Sequence, residues 1–370
     1  MKNIFKIVSL LAAAVMLFAC EKEDQSGLMI VSDKDVIQSN GEDLATLKVM
    51  FKGKDVTSEA EIYIEEGDED IPVGTNFTAT KDGEYKFWAQ YGAYSTYNSA
   101  MDDKNLFVIK AISVKVPSAL SDSQPSKTSF VHRAFLTQYT GLACGYCPYM
   151  IRILNDVKGK GTIPSKAVLA AVHSYSNADP AYIATPRVSN YPYLEIDMVQ
   201  GFSHSQPTSV LESLIENHVA SSAKAGIAVN PVYYEKEKLL VVRVSVKAAD
   251  SGLYNVGAWL LEDGITGAQN DYDGIKKQDP EHDYDTHDNC VRIADSKYKG
   301  THFGYLLGEM KAGDVLHKTF VMQIKNKWEL DNLHLAVFAS HGVAKGSKVT
   351  YTVCNAVDVP IDAPTPFEYK

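Results

Sequence analysis

The sequence predicts a multidomain protein of mixed α/β and all-β class, in which a central α/β domain lies between two β-sandwiches. Three observations support this prediction. Near both ends of the chain, apolar residues alternate with polar ones in many short runs, which is typical of half-buried strands. Between these ends, strand-like and helix-like patterns follow one another, which indicates an α/β domain. A Ser- and Pro-rich stretch, residues 117–127, separates the first sandwich from the α/β domain as a predicted linker.

Residues 1–19 have the pattern of a signal peptide that ends at a lipidation site. Lys2 and Lys6 give a positive start, and the apolar run over 7–18 is too short to span a bilayer. A small residue, Ala19, then precedes Cys20. We therefore expect cleavage before Cys20 and acylation of Cys20, which would anchor the chain in the lipid of the outer membrane of a Gram-negative bacterium. An ordinary secretory signal followed by a chance cysteine is the alternative.

The remaining composition favours a globular protein outside the cytoplasm. The chain is 22% charged and 45% hydrophobic, an ordinary balance, and its net charge of −10 argues against nucleic acid as a partner. Residues 20–27 are polar and acidic and are predicted to be a flexible tether. Whether the anchored chain faces the periplasm or the cell surface stays open. The sequence predicts no metal and no other cofactor.

Residues 28–116 are predicted to form the first β-sandwich. Leu47, Val49 and Phe51 fall on one strand face, and a later run from Tyr85 to Tyr91 places its apolar residues in the same period-two pattern. The runs VTSEAEIYI and DGEYKFWAQY resemble the small immunoglobulin-like modules that begin many bacterial surface lipoproteins. The resemblance implies an immunoglobulin-like β-sandwich that acts as a spacer.

Residues 128–225 are predicted to form the α/β domain, and residues 226–362 the second β-sandwich, followed by a tail over 363–370. In the α/β domain we expect a strand, a helix, a buried strand and a second helix, in this order, at 130–139, 144–157, 166–172 and 210–219. A polar insertion, 174–205, separates the buried strand from the second helix.

The pair Cys144-Gly-Tyr-Cys147 is the strongest chemical motif. Two cysteines three apart at the start of a helix lie within the Cα separation that a disulfide accepts. Unsatisfied N–H groups and the helix dipole favour a thiolate at the first position. We therefore expect Cys144 to be the nucleophile and Cys147 to be the resolving thiol. A structural disulfide and a zinc site are the alternatives, although no second pair of ligands stands at zinc-site spacing.

Two resemblances extend this interpretation. The segment FVHRAFLTQYTGLACGYCP is similar to the strand and active-site turn of thioredoxins, and Gln206-Pro207-Thr208 resembles the loop whose proline is cis in that fold and faces the dithiol. The CGYCP run, LED at 261–263 and HDNCVR at 287–292 resemble lipoproteins related to outer membrane protein 28 of anaerobic Gram-negative bacteria. These resemblances imply a thioredoxin-like domain joined to a C-terminal β domain, with Pro207 shaping the groove for a partner.

The chain also departs from the thioredoxin pattern. Thioredoxins have a Trp directly before the first cysteine, where this chain has Ala143. They bury an acid six residues before that cysteine, where this chain has Gln138, which cannot accept a proton. These differences put efficient turnover in doubt.

Three further features have weaker signals. The acidic loop, residues 269–289, carries a cluster of Asp and His over 271–288 that a metal could use, although a solvated loop is the commoner explanation. Cys290 and Cys354 are candidates for a structural disulfide, with two buried free thiols as the alternative. His173 and His204 flank the insertion, and either could approach the dithiol or be an ordinary packing residue.

Two functions follow as hypotheses. The first is thiol–disulfide exchange on extracytoplasmic proteins that carry thiols or disulfides, by a lipid-anchored oxidoreductase. The second is a non-enzymatic surface or interaction protein that keeps a degenerate thioredoxin scaffold with a structural disulfide. The sequence does not decide between oxidant, reductant and isomerase.

Overall fold

A computed structural model describes residues 27–67, 69–97, 106–184, 188, 190–295, 304–345 and 348–370. The predicted signal peptide and Cys20 therefore lie outside the described residues. The described residues form two compact units: unit 1 contains those of 27–116 with 344–349, and unit 2 contains those of 117–343 with 350–370. The protein is mostly β, with 48% strand and 12% helix, and its strands form several sheets, which agrees with the predicted combination of α/β and all-β structure.

Unit 1 consists of two sheets with one apolar core. Its strands are β1 (Leu28–Ser32), β2 (Val36–Gln38), β3 (Ala45–Phe51), β4 (Lys54–Asp55), β5 (Glu61–Glu66), β6 (Glu69–Val73), β7 (Asn76–Phe77), β8 (Gly83–Tyr91), β9 (Tyr94–Ser95) and β10 (Phe107–Ile112). One sheet has the order β1-β3-β4 with β7 on β3, and the other β2-β10-β8-β5-β6 with β9 on β8.

The core of unit 1 follows from alternation along its strands. Leu47 and Val49 of β3 are buried together with Phe87 and Ala89 of β8, while the intervening Lys48 is exposed. Because successive side chains of a strand point to opposite faces, each sheet gives one apolar face to this core.

The first half of unit 2 contains the predicted α/β pattern. Its elements are β11 (Ala134–Thr140), α1 (Cys147–Gly159), the short α2 (Thr162–Ser165), β12 (Ala167–His173), β13 (Tyr193–Ile196), β14 (Gln200–Phe202) and α3 (Thr208–Val219). β11 pairs in parallel with β12 and antiparallel with β13. Every residue of β11 and β12 is buried, as expected for strands covered on both faces.

The second half of unit 2 continues the same sheet. Its strands are β15 (Ala225–Tyr234), β16 (Leu239–Ala248), β17 (Gly252–Glu262), β18 (Ile265–Thr266), β19 (Thr286–His287), β20 (Cys290–Asp295), β21 (Tyr305–Met310), β22 (Val315–Gln323), β23 (Leu333–Lys345) and β24 (Lys348–Pro360), with the short helix α4 (Ile275–Gln278) between β18 and β19. The strand order is β14-β13-β11-β12-β20-β17-β23-β24, with β21 on β17.

This order joins residues from 128–225 and 226–362 in one hydrogen-bonded sheet. The joint is the parallel pairing of β12 with β20, at Ala171 and Cys290. Phe135 of β11 also stacks on Phe338 of β23 and meets Trp259 of β17 edge-on. The α/β part and the β part of unit 2 therefore share a core.

The separate sheet β15-β16-β22 completes the β part. Its apolar face, with Val229, Val242 and Phe320, packs against Leu260 and Leu335 of the long sheet. This arrangement of two facing sheets is a sandwich, and its core is buried because the two apolar faces cover each other.

The predicted linker and tail both pack on this sandwich. Lys247 of β16 is buried, and its Nζ donates to Asp122 Oδ2 at 2.8 Å, to the Pro125 carbonyl oxygen at 2.8 Å and to Tyr369 Oη at 3.2 Å. A buried ammonium needs such partners because it loses its hydration. Lys247 therefore fixes both the 117–127 stretch and the chain end to the sheet.

Candidate functional site

The dithiol turn follows directly from the central strand β11. After Thr140, the Cys144 N–H donates to the Gly141 carbonyl oxygen at 3.0 Å, and the Cys147 N–H donates to the Cys144 carbonyl oxygen at 3.1 Å. The helix α1 then begins at Cys147, with Pro148 in its first turn. Pro is suited to this position because its missing N–H would have no helical partner.

Cys144 and Cys147 form a disulfide, with their Cα atoms 5.4 Å apart. Met150, Ile153, Leu154 and Val157 place the apolar face of α1 against the sheet, as their helical spacing predicts. The helix starts three residues later than the motif suggested, so Cys144 lies in the turn before the helix and Cys147 is its first residue. Both cysteines are nonetheless at the end of α1 where unsatisfied N–H groups favour negative charge.

The disulfide is closed off from solvent. Cys144 is 2% exposed and Cys147 is 0% exposed. An incoming thiolate has to reach one of the sulfur atoms, so access is the first requirement for exchange. The structure shows which residues block this access.

The acidic loop covers the turn. The Asn270 N–H donates to the Leu142 carbonyl oxygen at 2.8 Å, and the Tyr272 N–H donates to the Gly145 carbonyl oxygen at 3.0 Å. The side chain of Gln269 is buried and directs Nε2 at the carbonyl oxygens of Cys144 and Leu142, at 2.9 and 3.1 Å. We call residues 269–272 the cover segment. It supplies hydrogen-bond donors to the carbonyl oxygens of the turn.

Tyr272 completes this cover from outside. Its ring lies edge-on to Tyr146 at a centroid distance of 5.3 Å. A Cβ atom at Gly145 would come within 2.4 Å of the Tyr272 ring, so the absence of a side chain at Gly145 allows the close approach. Tyr272 itself is 63% exposed, and little holds its outer side.

The carboxylates of the acidic loop mostly hold the loop together. Asp271 accepts from the N–H groups of Ile275 and Lys276 at the start of α4, Asp285 pairs with Lys276, and Asp279 accepts from Tyr284 Oη. Among the residues that the structure describes, no three His, Cys, Asp or Glu side chains are grouped so that they could hold a metal ion. The acidic cluster therefore has a structural use in fixing the cover.

Asp179 connects the turn to a second buried cluster. Its Oδ2 accepts from the Leu142 N–H at 2.8 Å and from His173 Nδ1 at 2.9 Å, and its Oδ1 accepts from the Ala181 N–H at 2.9 Å. Burial alone would raise the pKa of Asp179, but the hydrogen bonds and the nearby His173 outweigh it and lower the pKa. Asp179 is therefore an ionised anchor of the turn.

Cys290 lies on the other side of His173. Its Sγ is 3.5 Å from His173 Nε2 and 3.5 Å from the His287 carbonyl oxygen, and the residue is fully buried. Burial raises the pKa of the Cys290 thiol well above its ordinary value. His173 therefore contacts Cys290 and Asp179, while the His204 ring lies tilted against the Tyr149 ring at a centroid distance of 5.6 Å.

The predicted pairing of Cys290 with Cys354 does not form, and both are buried free thiols. Cys290 is in β20 and Cys354 in β24, and β17 and β23 lie between these strands. Three strand spacings amount to about 14 Å. A disulfide needs Cα atoms within about 7 Å, so the sheet keeps the two thiols apart.

Pro207 does not occupy the place that the resemblance assigned to it. It precedes α3 as its N-cap, after β14, and among the described residues the cis peptide bonds precede Pro164 and Pro192 instead. Pro192 comes directly before β13, whose Tyr193 pairs with Tyr139 near the end of β11. The proline beside the strand that leads to the dithiol is therefore Pro192. The prediction failed because β13 and β14 are short and were hidden in the polar insertion.

A cavity of about 70 Å³ lies between the sheet, α1 and the acidic loop. Gln138, Thr140, His173 and His287 are among its lining residues. Gln138 Nε2 and Thr140 Oγ1 are buried there without a hydrogen-bond partner among the described residues. The cavity has room for several water molecules, which would satisfy these atoms. Gln138 thus faces a polar space rather than an apolar one.

Sequence reasoning missed the residues of the cover segment. Gln269 contacts Cys144, which is 125 residues away in the chain. No local pattern marks such a contact. The only signal was the length of a loop without periodicity, which is uncommon unless the loop is functional or disordered.

No protein-family model and no curated protein sequence matches this chain. Among solved structures, HBP35 of Porphyromonas gingivalis, an anaerobic Gram-negative bacterium, has a similar fold. The TM-score is 0.50 at 15% sequence identity, over 65% of this chain and 78% of that chain. This likeness concerns the fold alone and supports a thioredoxin-like fold, in agreement with the strand order around β11. No helix among the described residues is long and apolar enough to cross a membrane.

Proposed function

We propose that the protein exchanges thiols and disulfides with other extracytoplasmic proteins through Cys144 and Cys147. The observation that carries this proposal is the Cys144–Cys147 disulfide at the start of α1, directly after the central strand of a thioredoxin-like sheet. The helix end lowers the cost of forming a thiolate in the turn, and the thiolate is the reactive form of cysteine.

The reaction consists of two successive thiol–disulfide exchange steps. In the oxidising direction, a partner thiolate attacks Cys144 Sγ, the Cys144–Cys147 bond breaks, and Cys147 leaves as a thiolate. A second partner thiolate then attacks the mixed disulfide and releases Cys144. The partner loses two electrons and two protons overall, and the two cysteines gain them. The reducing direction is the reverse of these steps.

The second candidate function is a non-enzymatic interaction protein whose disulfide is structural. The observation that favours it is the burial of both cysteines beneath Gln269 and Tyr272. A structural disulfide needs no access, whereas the exchange proposal requires the cover segment to move away. The two candidates therefore differ in whether the turn becomes accessible.

The location of the chain is part of the same proposal. Acylated Cys20 would hold the protein in the outer-membrane lipid, and residues 20–27 would be its tether. Unit 1 would then act as an immunoglobulin-like spacer between the anchor and the site. The Cys144–Cys147 disulfide supports an oxidising compartment, where an exchange protein has disulfide-bearing partners.

The experiment that tests the proposal is mixed-disulfide trapping with the full chain in its own cells. Cys147→Ser removes the resolving thiol, so Cys144 should accumulate in covalent complexes with partner proteins that a reductant dissolves. The matched control is the double variant Cys144→Ser, Cys147→Ser, which should trap nothing. A reduction potential below about −300 mV together with no trapped partner would establish the structural alternative.

A further inference from the structure

The cover segment contacts the dithiol turn as an extended peptide would. Its backbone donates through the Asn270 N–H to the Leu142 carbonyl oxygen and through the Tyr272 N–H to the Gly145 carbonyl oxygen. Main-chain hydrogen bonds of this kind give affinity without depending on sequence, and side chains then add selectivity. We infer that the cover segment occupies the groove in which a substrate polypeptide binds beside Cys144. This inference rests on the exchange function proposed above.

Gln269 is the first recognition element of the groove. Its Nε2 lies 2.9 Å from the Cys144 carbonyl oxygen, 3.1 Å from that of Leu142 and 3.3 Å from that of Gly141. Three carbonyl oxygens converge on this point, so only a donor fits there. Gln269 Oε1 is buried and has no partner. The turn therefore recognises the donor half of an amide, and the acceptor half contributes nothing to the fit.

Tyr272 is the second recognition element. Its ring fills the space over Gly145 that a side chain would otherwise take, and it packs edge-on against Tyr146, which is itself exposed outside this contact. A second close approach lies at Gly267, where a Cβ atom would come within 2.4 Å of Leu142 Cδ1. Glycines on both sides thus let the loop and the turn meet at backbone distance.

These contacts define the substrate class. The groove fits an extended segment of a partner protein that carries an amide donor side chain and, three residues later, an aromatic ring. A partner with this pattern would replace Gln269 and Tyr272 contact for contact. The same displacement would bring the partner chain, with its own thiol or disulfide, beside Cys144, while small thiols in solution stay excluded. A ligand that competes with the self-contact shifts the equilibrium by its own affinity for the opened state.

The full-length protein provides the test through the rate of reduction of its own disulfide. Dithiothreitol supplies two electrons, the Cys144–Cys147 bond breaks to give two protein thiols, and dithiothreitol itself is oxidised to its cyclic disulfide. Gln269→Ala and Tyr272→Ala each remove part of the cover, and each should speed this reduction about fivefold to tenfold, the factor expected from one or two net hydrogen bonds or an aromatic contact. Glu281→Ala, an exposed change in the same loop, is the matched control and should leave the rate unchanged.

Gly145→Ala opens the same contact from the side of the turn, because the new methyl group displaces the Tyr272 ring. It should also speed reduction, so the test does not depend on one loop variant folding correctly. A synthetic peptide with the sequence of 267–274, GAQNDYDG, should slow reduction of Tyr272→Ala again by refilling the groove. A peptide of the same composition in scrambled order should have no effect.

Unchanged rates in Gln269→Ala, Tyr272→Ala and Gly145→Ala would overturn the inference, and so would equal effects of the two peptides. This outcome is independent of the exchange function, because the reduction assay needs no natural partner. Faster reduction in the cover variants with no partner trapped by Cys147→Ser would instead support the groove and contradict the exchange function.

Discussion

The Cys144–Cys147 turn and Cys290 both keep sulfur away from solvent, but they do so by different means. At the turn, the cover consists of four residues of a loop, held by hydrogen bonds to backbone carbonyl oxygens and by one exposed ring. At Cys290, the cover consists of groups packed on its face of the sheet, namely His173 and the His287 carbonyl oxygen at Sγ, with Ala181 and Ile265 beside them.

The difference concerns what has to break before each sulfur can react. A loop can leave by losing a few hydrogen bonds, and local openings of this kind cost far less than global unfolding. Exposure of Cys290 requires buried side chains to separate, among them His173 of β12 and Ile265 of β18. Under the proposed function, the turn would combine burial with access when the cover segment moves, whereas Cys290 would stay unreactive in the folded protein. Burial by itself does not separate a reactive cysteine from a structural one.

Asp179 links the dithiol turn to the Cys290 cluster, and its removal should cause the largest loss of stability. Asp179→Ala leaves the Leu142 N–H, the Ala181 N–H and His173 Nδ1 without their acceptor, which should lower the free energy of unfolding by about 3 kcal/mol. Denaturant unfolding measures this loss. Asp273→Ala is the control, since this exposed carboxylate accepts only from Tyr149 among the hydrogen bonds described, and it should cost less than about 0.5 kcal/mol.

The Asp179 carboxylate should also make the stability of the protein fall at acidic pH. Because the folded pKa of Asp179 is lowered, its contribution is complete above the unfolded value of about 3.9 and is lost as the pH falls below it, through the folded pKa. The wild type should therefore lose more stability on acidification than Asp179→Ala. Equal acid sensitivity of the two proteins would show that Asp179 is not ionised in the fold.

Cys290→Ser should have a smaller effect and should sharpen the contrast with the turn. A hydroxyl in this buried place loses hydration that the neighbours only partly replace, so we expect a loss of about 1–2 kcal/mol in unfolding free energy. The rate at which dithiothreitol reduces Cys144–Cys147 should not change. A change in this rate would mean that Cys290 takes part in the exchange.

Because the Cys290 thiol is buried, we also expect a loss of stability at alkaline pH. Its folded pKa is raised by burial, so the folded thiol stays protonated while the unfolded thiol ionises above about 8.5. The contribution is therefore present below that pH and declines as the pH rises. Cys290→Ser should flatten this part of the stability profile, in the same denaturant measurements.

Local patterns in the sequence predicted much of this architecture. The apolar positions of α1 and the continuous apolar run of β12 are buried as their spacing indicates. Such features depend on neighbours within one element. The pairing of β12 with β20 could not be predicted in this way, because nothing in the two strand sequences, AVLAAVH and CVRIAD, identifies the neighbouring strand. The predicted division at 225/226 falls within one compact unit for this reason.

The candidate site was predicted in part. Cys144 and Cys147 were identified because their spacing alone has chemical meaning. Gln269 and Tyr272 were missed, since their role comes from contacts with residues more than a hundred positions earlier. Pro207 was predicted because Gln206-Pro207-Thr208 resembles the proline loop of thioredoxins, while the strand that identifies Pro192 is only four residues long.

The most direct test of this account is equilibration of the native protein with glutathione redox buffers, followed by acid quenching, alkylation and mapping of each cysteine. The account predicts a midpoint above about −300 mV for Cys144–Cys147, glutathione attached to Cys144 in the Cys147→Ser variant, and Cys290 unmodified until the protein is unfolded. A disulfide that stays oxidised in every buffer, or glutathione on Cys290 before Cys144, would contradict it.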